Sequence, residues 1–243
     1  MSRKKSFRPR YLAIIFIIFF GAVFGFKNND IKNVIQSVIS TRTILNTTDV
    51  GTIPEYSENP YVVINDNIPS FSEDDITTES FEQYSELDIL GRCGTAFANL
   101  SLDTMPTEER GNIGMIKPSG WQISKYDFID GKYLYNRCHL IGFQLSGENA
   151  NKQNLITGTR YLNVEGMLPF ENRVAEYIRK TGKHILYRVS PVFRDNNLLA
   201  DGVQIEALSV EDDGKGICFN VFCYNVQPGV EIDYKNGNNK KIK

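Results

Sequence analysis

Only one of the two histidines in this chain has neighbours that suit catalysis. His139 ends the run Asn136-Arg137-Cys138-His139, whereas His184 opens a strand-like run and is interpreted as structural. A neutral imidazole, with an ordinary pKa of about 6.5, can take a proton from water near neutral pH. Polar side chains follow it: Asn149, Asn151, Asn154, Arg160, Asn163, Glu171 and Arg173. They suit acid–base chemistry beside a hard metal ion or a series of polar turns, and the residue types alone leave both interpretations open.

Two other kinds of site fit these residues poorly. A cysteine protease would pair Cys138 with His139, but adjacent residues of a strand point to opposite faces and cannot share a proton. A zinc site needs several thiolate or imidazole ligands. The chain offers two distant histidines and no Cys-x-x-Cys motif, so neither chemistry is expected.

The elements around His139 must bring these side chains together. Before it, Asp130-Gly131 separates two β-type runs, Trp121 to Phe128 and Tyr133 to Tyr135, which is a strong hairpin signal. After it, residues 169–180 predict a helix, with a proline near the start, an acid in the first turn and a glycine beyond the end. Residues 184–234 alternate β-branched and aromatic runs with turns, which predicts an antiparallel sheet.

Upstream of the turn-rich residues 101–120, the pattern is less regular. Tyr61 to Ile64 and Cys93 to Leu100 predict strands, and Thr77 to Leu90 predicts a helix. The fold class is therefore expected to be α+β. We expect one domain over residues 59–235, preceded by a linker over 27–58 and followed by a polar tail over 236–243.

The N-terminus predicts export. Residues 1–26 contain five Lys or Arg and no acid, and residues 11–26 form an uncharged apolar run. This layout is typical of a signal peptide or of a membrane anchor, and the sequence leaves the two open. Because positive charge stays inside, the rest of the chain is expected outside the cytoplasm, either secreted or held at the outer face of the cytoplasmic membrane.

Charge is distributed unevenly behind a net value of −2. Residues 49–91 hold eleven acids and no Lys or Arg. Such a block is usually solvated, and we expect it to stay away from a polyanion. The remaining C-terminal part is weakly basic, which permits a local phosphate-binding surface.

The order of motifs in residues 92–235 resembles the DNA/RNA non-specific endonuclease family, the ββα-metal or His-Me finger nucleases, and within it the secreted streptococcal DNases. The family motif Asp-Arg-Gly-His at the end of a hairpin corresponds to residues 136–139, followed by Asn154, Asn163 and Glu171. The resemblance implies a ββα-metal fold with a central antiparallel sheet. It also implies Mg²⁺-dependent cleavage of DNA, with RNA left open, to 5′-phosphate products, with Mn²⁺ as a substitute ion.

The resemblance also implies roles for residues. His139 is the general base, Asn163 the direct Mg²⁺ ligand, and Glu171 holds the waters of the ion. Asn154 supports the metal or the histidine. The remaining assignments are phosphate contacts: Arg137 within the catalytic motif, and Arg160 and Arg173 as substrate-binding residues. No obligate protein partner is expected.

This sequence departs from the family pattern at three positions. Asn136 replaces the aspartate that opens the motif, and Cys138 replaces its glycine. The arginine expected one turn after Glu171 is Ala175, so Arg173 or Arg179 would have to substitute. Because Asn136 carries no charge, a catalytically silent, surface-displayed DNA-binding or interaction module is the alternative function.

Four cysteines lie in a segment expected outside the cytoplasm, where disulfides persist. Cys218 and Cys223 are about 16 Å apart in a regular strand, too far to bond to each other. The hypothesis is a disulfide between Cys93 and Cys138, with four free thiols as the alternative.

Overall fold

A six-stranded antiparallel sheet forms the centre of the computed structural model, which describes residues 53–242. The order across the sheet is β1-β8-β7-β6-β3-β2. This confirms the α+β class and the central antiparallel sheet. The strands, in chain order, are β1 (Tyr61–Val63), β2 (Phe81–Tyr84), β3 (Ala96–Leu100), β4 (Tyr135–His139), β5 (Leu155–Thr159), β6 (Ile185–Val192), β7 (Gly202–Ser209), β8 (Cys218–Tyr224), β9 (Val230–Ile232) and β10 (Asn239–Lys241).

One face of the central sheet packs against the main helix, α2 (Leu168–Thr181). The strands contribute small and branched apolar side chains at alternate positions, as the period of a strand requires. Helix α2 contributes Val174, Ala175 and Ile178, which are fully buried. Pro at the start of α2 and Gly182 in the left-handed conformation at its end set the limits that the sequence predicted.

The opposite face of the sheet carries both polar and apolar side chains, among them Phe97, and is contacted by the segment 65–76. Arg188 on β6 and Glu206 on β7 stand opposite each other, and Arg188 Nε donates to Glu206 Oε2 at 2.8 Å. Both side chains are almost completely buried. The backbone N–H and the hydroxyl of Ser70 donate to the other carboxylate oxygen, each at 2.7 Å. These contacts fasten the covering segment to the sheet.

The ββα unit consists of β4, β5 and the helical segment that follows them. Strand β4 pairs with β5 in antiparallel register, with His139 opposite Leu155. A short helix, α1 (Phe143–Ser146), lies in the connection between the two strands. After β5, one π-helical stretch, Leu162–Met167, leads directly into α2. The unit thus places the end of β4 beside the beginning of the helix.

Two local predictions were wrong. The Asp130-Gly131 turn exists, but its two arms share only the bridge between Lys125 and Tyr133, and the partner of β4 is β5. Residues 77–90 contain strand β2 and no helix in the structure, because β2 completes the edge of the sheet beside β3. Phe81 packs there against Phe97, a contact that no local periodicity encodes.

Two segments outside the predicted domain limits contact the domain. Tyr224 donates its hydroxyl hydrogen to the carbonyl of Pro54 at 2.8 Å, and β10 pairs with β9. The predicted signal or anchor over residues 1–26 lies outside the described residues. Within residues 53–242, none of the helices has the length and apolar character that crossing a membrane requires.

All four cysteines carry free thiols, so the hypothesised disulfide between Cys93 and Cys138 is not formed in the structure. The two thiols are directed to different partners. Cys93 Sγ donates to the carbonyls of Lys152 and Leu155, both at 3.2 Å. The thiol of Cys138 fills the space that a side chain on Gly158 would occupy, which explains how the strand pair accepts a cysteine at this position.

Candidate active site

A polar cleft of about 510 Å³ lies where the end of β4 meets the beginning of the helical segment. It gathers side chains from three parts of the chain: the coil before β4, the ββα unit and the first turn of α2. Five of the residues assigned a role from the sequence line it or stand beside it. Its polar lining is Arg110, Asn136, Arg137, His139, Gln144, Arg160, Asn163, Glu171 and Asn172.

The two ring nitrogens of His139 have different partners, and these partners fix its tautomer. Nε2 lies 2.8 Å from the carbonyl oxygen of Asn149, which can only accept a hydrogen bond, so Nε2 carries the hydrogen. Nδ1 lies 3.4 Å from a terminal nitrogen of Arg110, which can only donate. Nδ1 therefore keeps its lone pair on the side of the cleft, as a general base requires.

The environment of His139 also keeps its imidazole neutral. Burial lowers the pKa of His139 below its ordinary value of 6.5. The hydrogen bond to the Asn149 carbonyl opposes this effect, and the positive charge of Arg110 adds to it. At neutral pH the side chain is consequently in the form that can accept a proton.

Asn163 enters the cleft from the π-helical stretch. The N–H of Leu168 donates to the carbonyl of Asn163, five residues earlier, which widens the turn here. The Asn163 amide nitrogen lies 3.4 Å from Oδ1 of Asn136 on β4. The side-chain amides of Asn136 and Asn163 thus lie next to each other where β4 meets the π-helical stretch.

Glu171 projects from the first turn of α2 into the same cleft. Burial raises the pKa of its carboxyl to about 7, against the opposing effects of a hydrogen bond from Gln144 and the charge of Arg110. Gly142 lets the loop after β4 approach this carboxyl closely, since a Cβ there would lie 2.6 Å from Glu171 Oε2.

The donor set of the cleft suits a hard divalent ion. Amide and carboxylate oxygens are the ligands that Mg²⁺ accepts, and the ion retains several waters. In the described part of the chain no group of three or more His, Cys, Asp or Glu side chains could hold a metal ion. An ion in this cleft would therefore rest on Asn163 and Glu171, with water and substrate completing its shell. The residues present fit Mg²⁺ in that sense.

Arg110 was missed by sequence reasoning. It lies in an irregular coil, it is exposed, and its guanidinium reaches Nδ1 of His139. No periodicity or motif marks this residue in the sequence. Arg160, which the sequence did single out, also lines the cleft, and it donates to Asp130 at 2.7 Å. Both guanidinium groups stand where a phosphate in the cleft would meet them.

Arg137 lines the cleft but is occupied by other contacts. Its guanidinium donates to the carbonyls of Ile116 and Gly114 and lies over the ring of Trp121, 4.0 Å from the ring centre. The side chain therefore ties the coil before β4 to the ββα unit. These contacts engage two of its three nitrogens, and the phosphate contact stays a prediction.

Two further predicted site residues lie elsewhere. Asn154 is fully buried, and its amide exchanges hydrogen bonds with the backbone of Ile141, at 2.9 and 3.0 Å. It closes the loop between β4 and β5 and does not reach the cleft. Arg173 lies two residues after Glu171, which places it about 200° around the helix axis. Its guanidinium is 5.8 Å from the ring centre of Phe219, so it faces away from the cleft.

An unprotonated Nδ1 on His139, hard oxygen donors and two arginines meet in one cleft, and this set of groups suits phosphodiester hydrolysis. Residues 72–211 match the family model of the DNA/RNA non-specific endonucleases. The chain belongs to this family of phosphodiester hydrolases.

Solved structures support the same fold. The magnesium-bound NucA of Streptococcus agalactiae superimposes with a TM-score of 0.68 at 24% identity, covering 79% of this chain and 93% of NucA. The Sda1 nuclease with bound zinc gives a TM-score of 0.63 at 25% identity, covering 76% of this chain and 97% of Sda1. An extracellular endonuclease gives a TM-score of 0.54 at 19% identity, covering 77% of this chain and all of that protein's chain.

Proposed function

We propose that this chain is an exported, Mg²⁺-dependent endonuclease that hydrolyses phosphodiester bonds of DNA, with His139 as its general base. One observation carries the proposal. The Asn149 carbonyl holds the hydrogen on Nε2, and this leaves Nδ1 unprotonated, next to Arg110, in the cleft that also contains Asn163 and Glu171. RNA has the same linkage between nucleotides and is included as a second substrate.

Asn163 and Glu171 would hold the metal ion, which when bound supplies Lewis-acid stabilisation of the phosphate and of the leaving oxygen. Mn²⁺ is expected to substitute, because it accepts the same oxygen ligands. The magnesium in the NucA structure and the zinc in the Sda1 structure support a divalent ion in this fold.

The residues of the chain supply the remaining chemistry. His139 Nδ1 takes a proton from a water molecule, and the oxygen of that water forms a bond to phosphorus while the bond to the 3′-oxygen breaks. The products are a 5′-phosphate and a 3′-hydroxyl, which takes its proton from solvent. Arg110 and Arg160 neutralise the phosphate oxygens during this exchange. Contacts confined to phosphate carry no sequence information, so low sequence specificity follows.

Export is part of the proposal. The basic and apolar residues at the N-terminus are typical of a signal peptide or an anchor. Two matched structures, at 19% and 20% identity, are described as an extracellular endonuclease and an extracellular nuclease. We propose a protein that is secreted or held at the outer face of the cytoplasmic membrane.

The test compares the purified full-length chain with two substitutions on plasmid DNA, with Mg²⁺ or with EDTA. His139→Ala should lower turnover about 10²–10⁴-fold, the range for loss of a general base. Asn163→Ala should raise the Mg²⁺ concentration that gives half-maximal activity. His184→Ala is the matched control, because this histidine pairs with Glu211 at 2.7 Å and lies outside the cleft lining. A parent protein that binds DNA without cutting it under any of these conditions would instead establish the silent binding module.

A further inference from the structure

Two exposed aromatic rings stand on the turn that leads into β4. Phe128 is 48% exposed and Tyr133 is 47% exposed. Other rings of this region are anchored differently: Tyr126 donates its hydroxyl hydrogen to Asn239 Oδ1, and the buried Tyr135 donates to the carbonyl of Gly237. Phe128 and Tyr133 thus keep about half of their surface exposed to water, whereas the neighbouring Tyr126 and Tyr135 are held by hydrogen bonds.

Each exposed ring has an ammonium group over one of its faces. Lys125 Nζ lies 4.5 Å from the centre of the Tyr133 ring, and Lys241 Nζ lies 5.3 Å from the centre of the Phe128 ring. In the described part of the chain, neither lysine forms an ion pair. The neighbouring Lys132 and Lys240 do so, with Asp127 at 3.0 Å and Glu231 at 3.1 Å. Lys125 and Lys241 therefore remain available to an external anion.

This group of residues is connected to the cleft. The turn continues directly into β4, and Tyr133 precedes Asn136 by three residues, about 10 Å of extended chain. Asp130, at the tip of the turn, accepts the ion pair from Arg160, which lines the cleft. A nucleic acid strand whose phosphate lies against Arg160 would thus be within reach of the turn.

We propose that Phe128, Tyr133, Lys125 and Lys241 form an accessory surface that binds single-stranded nucleic acid next to the cleft, an inference that rests on the proposed function. Aromatic faces stack on unpaired bases of any sequence, while ammonium groups contact the backbone. The bases of an intact duplex are stacked on each other and cannot use such rings. The surface consequently favours single strands and frayed ends over duplexes.

Binding can be measured without cleavage. The full-length chain carrying His139→Ala is titrated, with Mg²⁺ present, into a labelled oligothymidine and into a duplex of equal length, and fluorescence anisotropy gives each Kd. Adding Phe128→Leu and Tyr133→Leu should raise the Kd for the single strand about tenfold or more, the stacking range, and leave the duplex Kd unchanged. Leucine keeps an apolar side chain, so the loss reports the aromatic face.

A second pair of substitutions tests the cations. Lys125→Gln with Lys241→Gln should lower the slope of log Kd against log salt by about 1.4 for the single strand, since each phosphate contact contributes about 0.7. Tyr61→Leu and Lys180→Gln are matched controls, because both residues are exposed and lie outside the cleft and the accessory surface. Both controls should retain the parent Kd and salt slope.

Folding is monitored by melting temperature, and Phe128→Tyr with Tyr133→Phe must retain the parent Kd because the rings remain. An unchanged single-strand Kd in the double leucine variant would overturn the inference, as would an equal loss of affinity for the duplex. Neither result depends on cleavage. Absence of turnover in the parent protein would refute the proposed function without affecting this measurement.

Discussion

The guanidinium of Arg137 lies over the ring of Trp121, 4.0 Å from its centre, while its nitrogens donate to the carbonyls of Gly114 and Ile116. One side chain on β4 therefore holds a coil that has no strand or helix of its own. The same coil begins next to Arg110, which contacts His139. Arg137 acts on the cleft through the coil that it positions.

This relationship predicts that Arg137→Lys fails in the same way as Arg137→Ala. Lysine keeps the charge but cannot bridge two carbonyls or stack as a planar group. Both variants should raise KM for DNA about tenfold and shift the emission of Trp121, the only tryptophan of the chain, to longer wavelength. Arg92→Lys is the control, because Arg92 similarly joins two carbonyls and a phenylalanine ring away from the cleft. Full activity in Arg137→Lys would indicate a direct phosphate contact instead.

A second prediction concerns the protonation of His139. Burial, with the charge of Arg110, lowers its pKa, so the neutral form persists below pH 6.5 and is lost only as the pH falls through the lowered pKa. A His184→Ala variant contains a single imidazole, so a proton NMR titration of the metal-free variant gives this pKa directly. Arg110→Gln should raise the measured value. A midpoint at or above 6.5 in the parent, or a fall in Arg110→Gln, would contradict the assignment.

At saturating Mg²⁺, turnover should follow the same titration. The rate should be level above the lowered pKa of His139 and fall about tenfold per pH unit below it, because imidazolium cannot accept a proton. At low Mg²⁺ concentration, protonation of the Glu171 carboxyl, whose pKa is raised to about 7, should cause a second loss of turnover as the pH falls. Because Mg²⁺ favours the carboxylate form, a higher Mg²⁺ concentration should move this second loss to lower pH.

The free thiols give a third prediction. Unfolding the purified protein without reductant, in the presence of an alkylating agent, should modify all four cysteines. In the folded protein, only the half-buried Cys218 should react quickly, since burial raises the pKa of Cys93 to about 12 and encloses Cys138 and Cys223 completely. Mass spectrometry that finds two unmodified cysteines after unfolding would restore the hypothesis of a Cys93–Cys138 disulfide.

A fourth prediction concerns the buried pair of Arg188 and Glu206. Glu206→Ala should lower the free energy of unfolding by about 3–5 kcal/mol, because it leaves a buried guanidinium without its partner. Replacing both, as Arg188→Met with Glu206→Leu, should cost less than the single substitution, since no charge then remains unpaired. Denaturant titrations of the three proteins measure this. A double variant that is less stable than Glu206→Ala would show that the pair itself stabilises the sheet.

Much of the scaffold could be predicted from sequence because its signals are local. Helix α2 has a proline at its start, a glycine at its end and buried positions at helical spacing. Strand β2 gave no such signal, because its identity depends on pairing with β3, and Phe81 and Tyr84 also fit one face of a helix.

The candidate site also contains some residues with local sequence signals and others without them. His139, Asn163 and Glu171 could be predicted to lie together because they belong to an ordered motif within one continuous segment, and they line one cleft. Arg110 comes from a distant coil, and Asn149 acts through its backbone carbonyl, a role that any residue type could fill. The sequence predicted Asn154 and Arg173 in the site, but both side chains lie elsewhere. Sequence order does not determine the direction in which a side chain points.

Because β1 pairs with β8, the central sheet can be completed only after the C-terminal strands have been synthesised. Tyr61 stands opposite Cys223, and β6, β7 and β8 all follow helix α2 in the chain. The helix that carries Glu171 therefore has no sheet to rest on until almost the whole chain has been synthesised. Pairings between such distant segments form slowly. A partly synthesised chain thus contains every residue of the candidate site before the sheet that supports α2 is complete, and we expect hydrolysis only after the last central strand has docked.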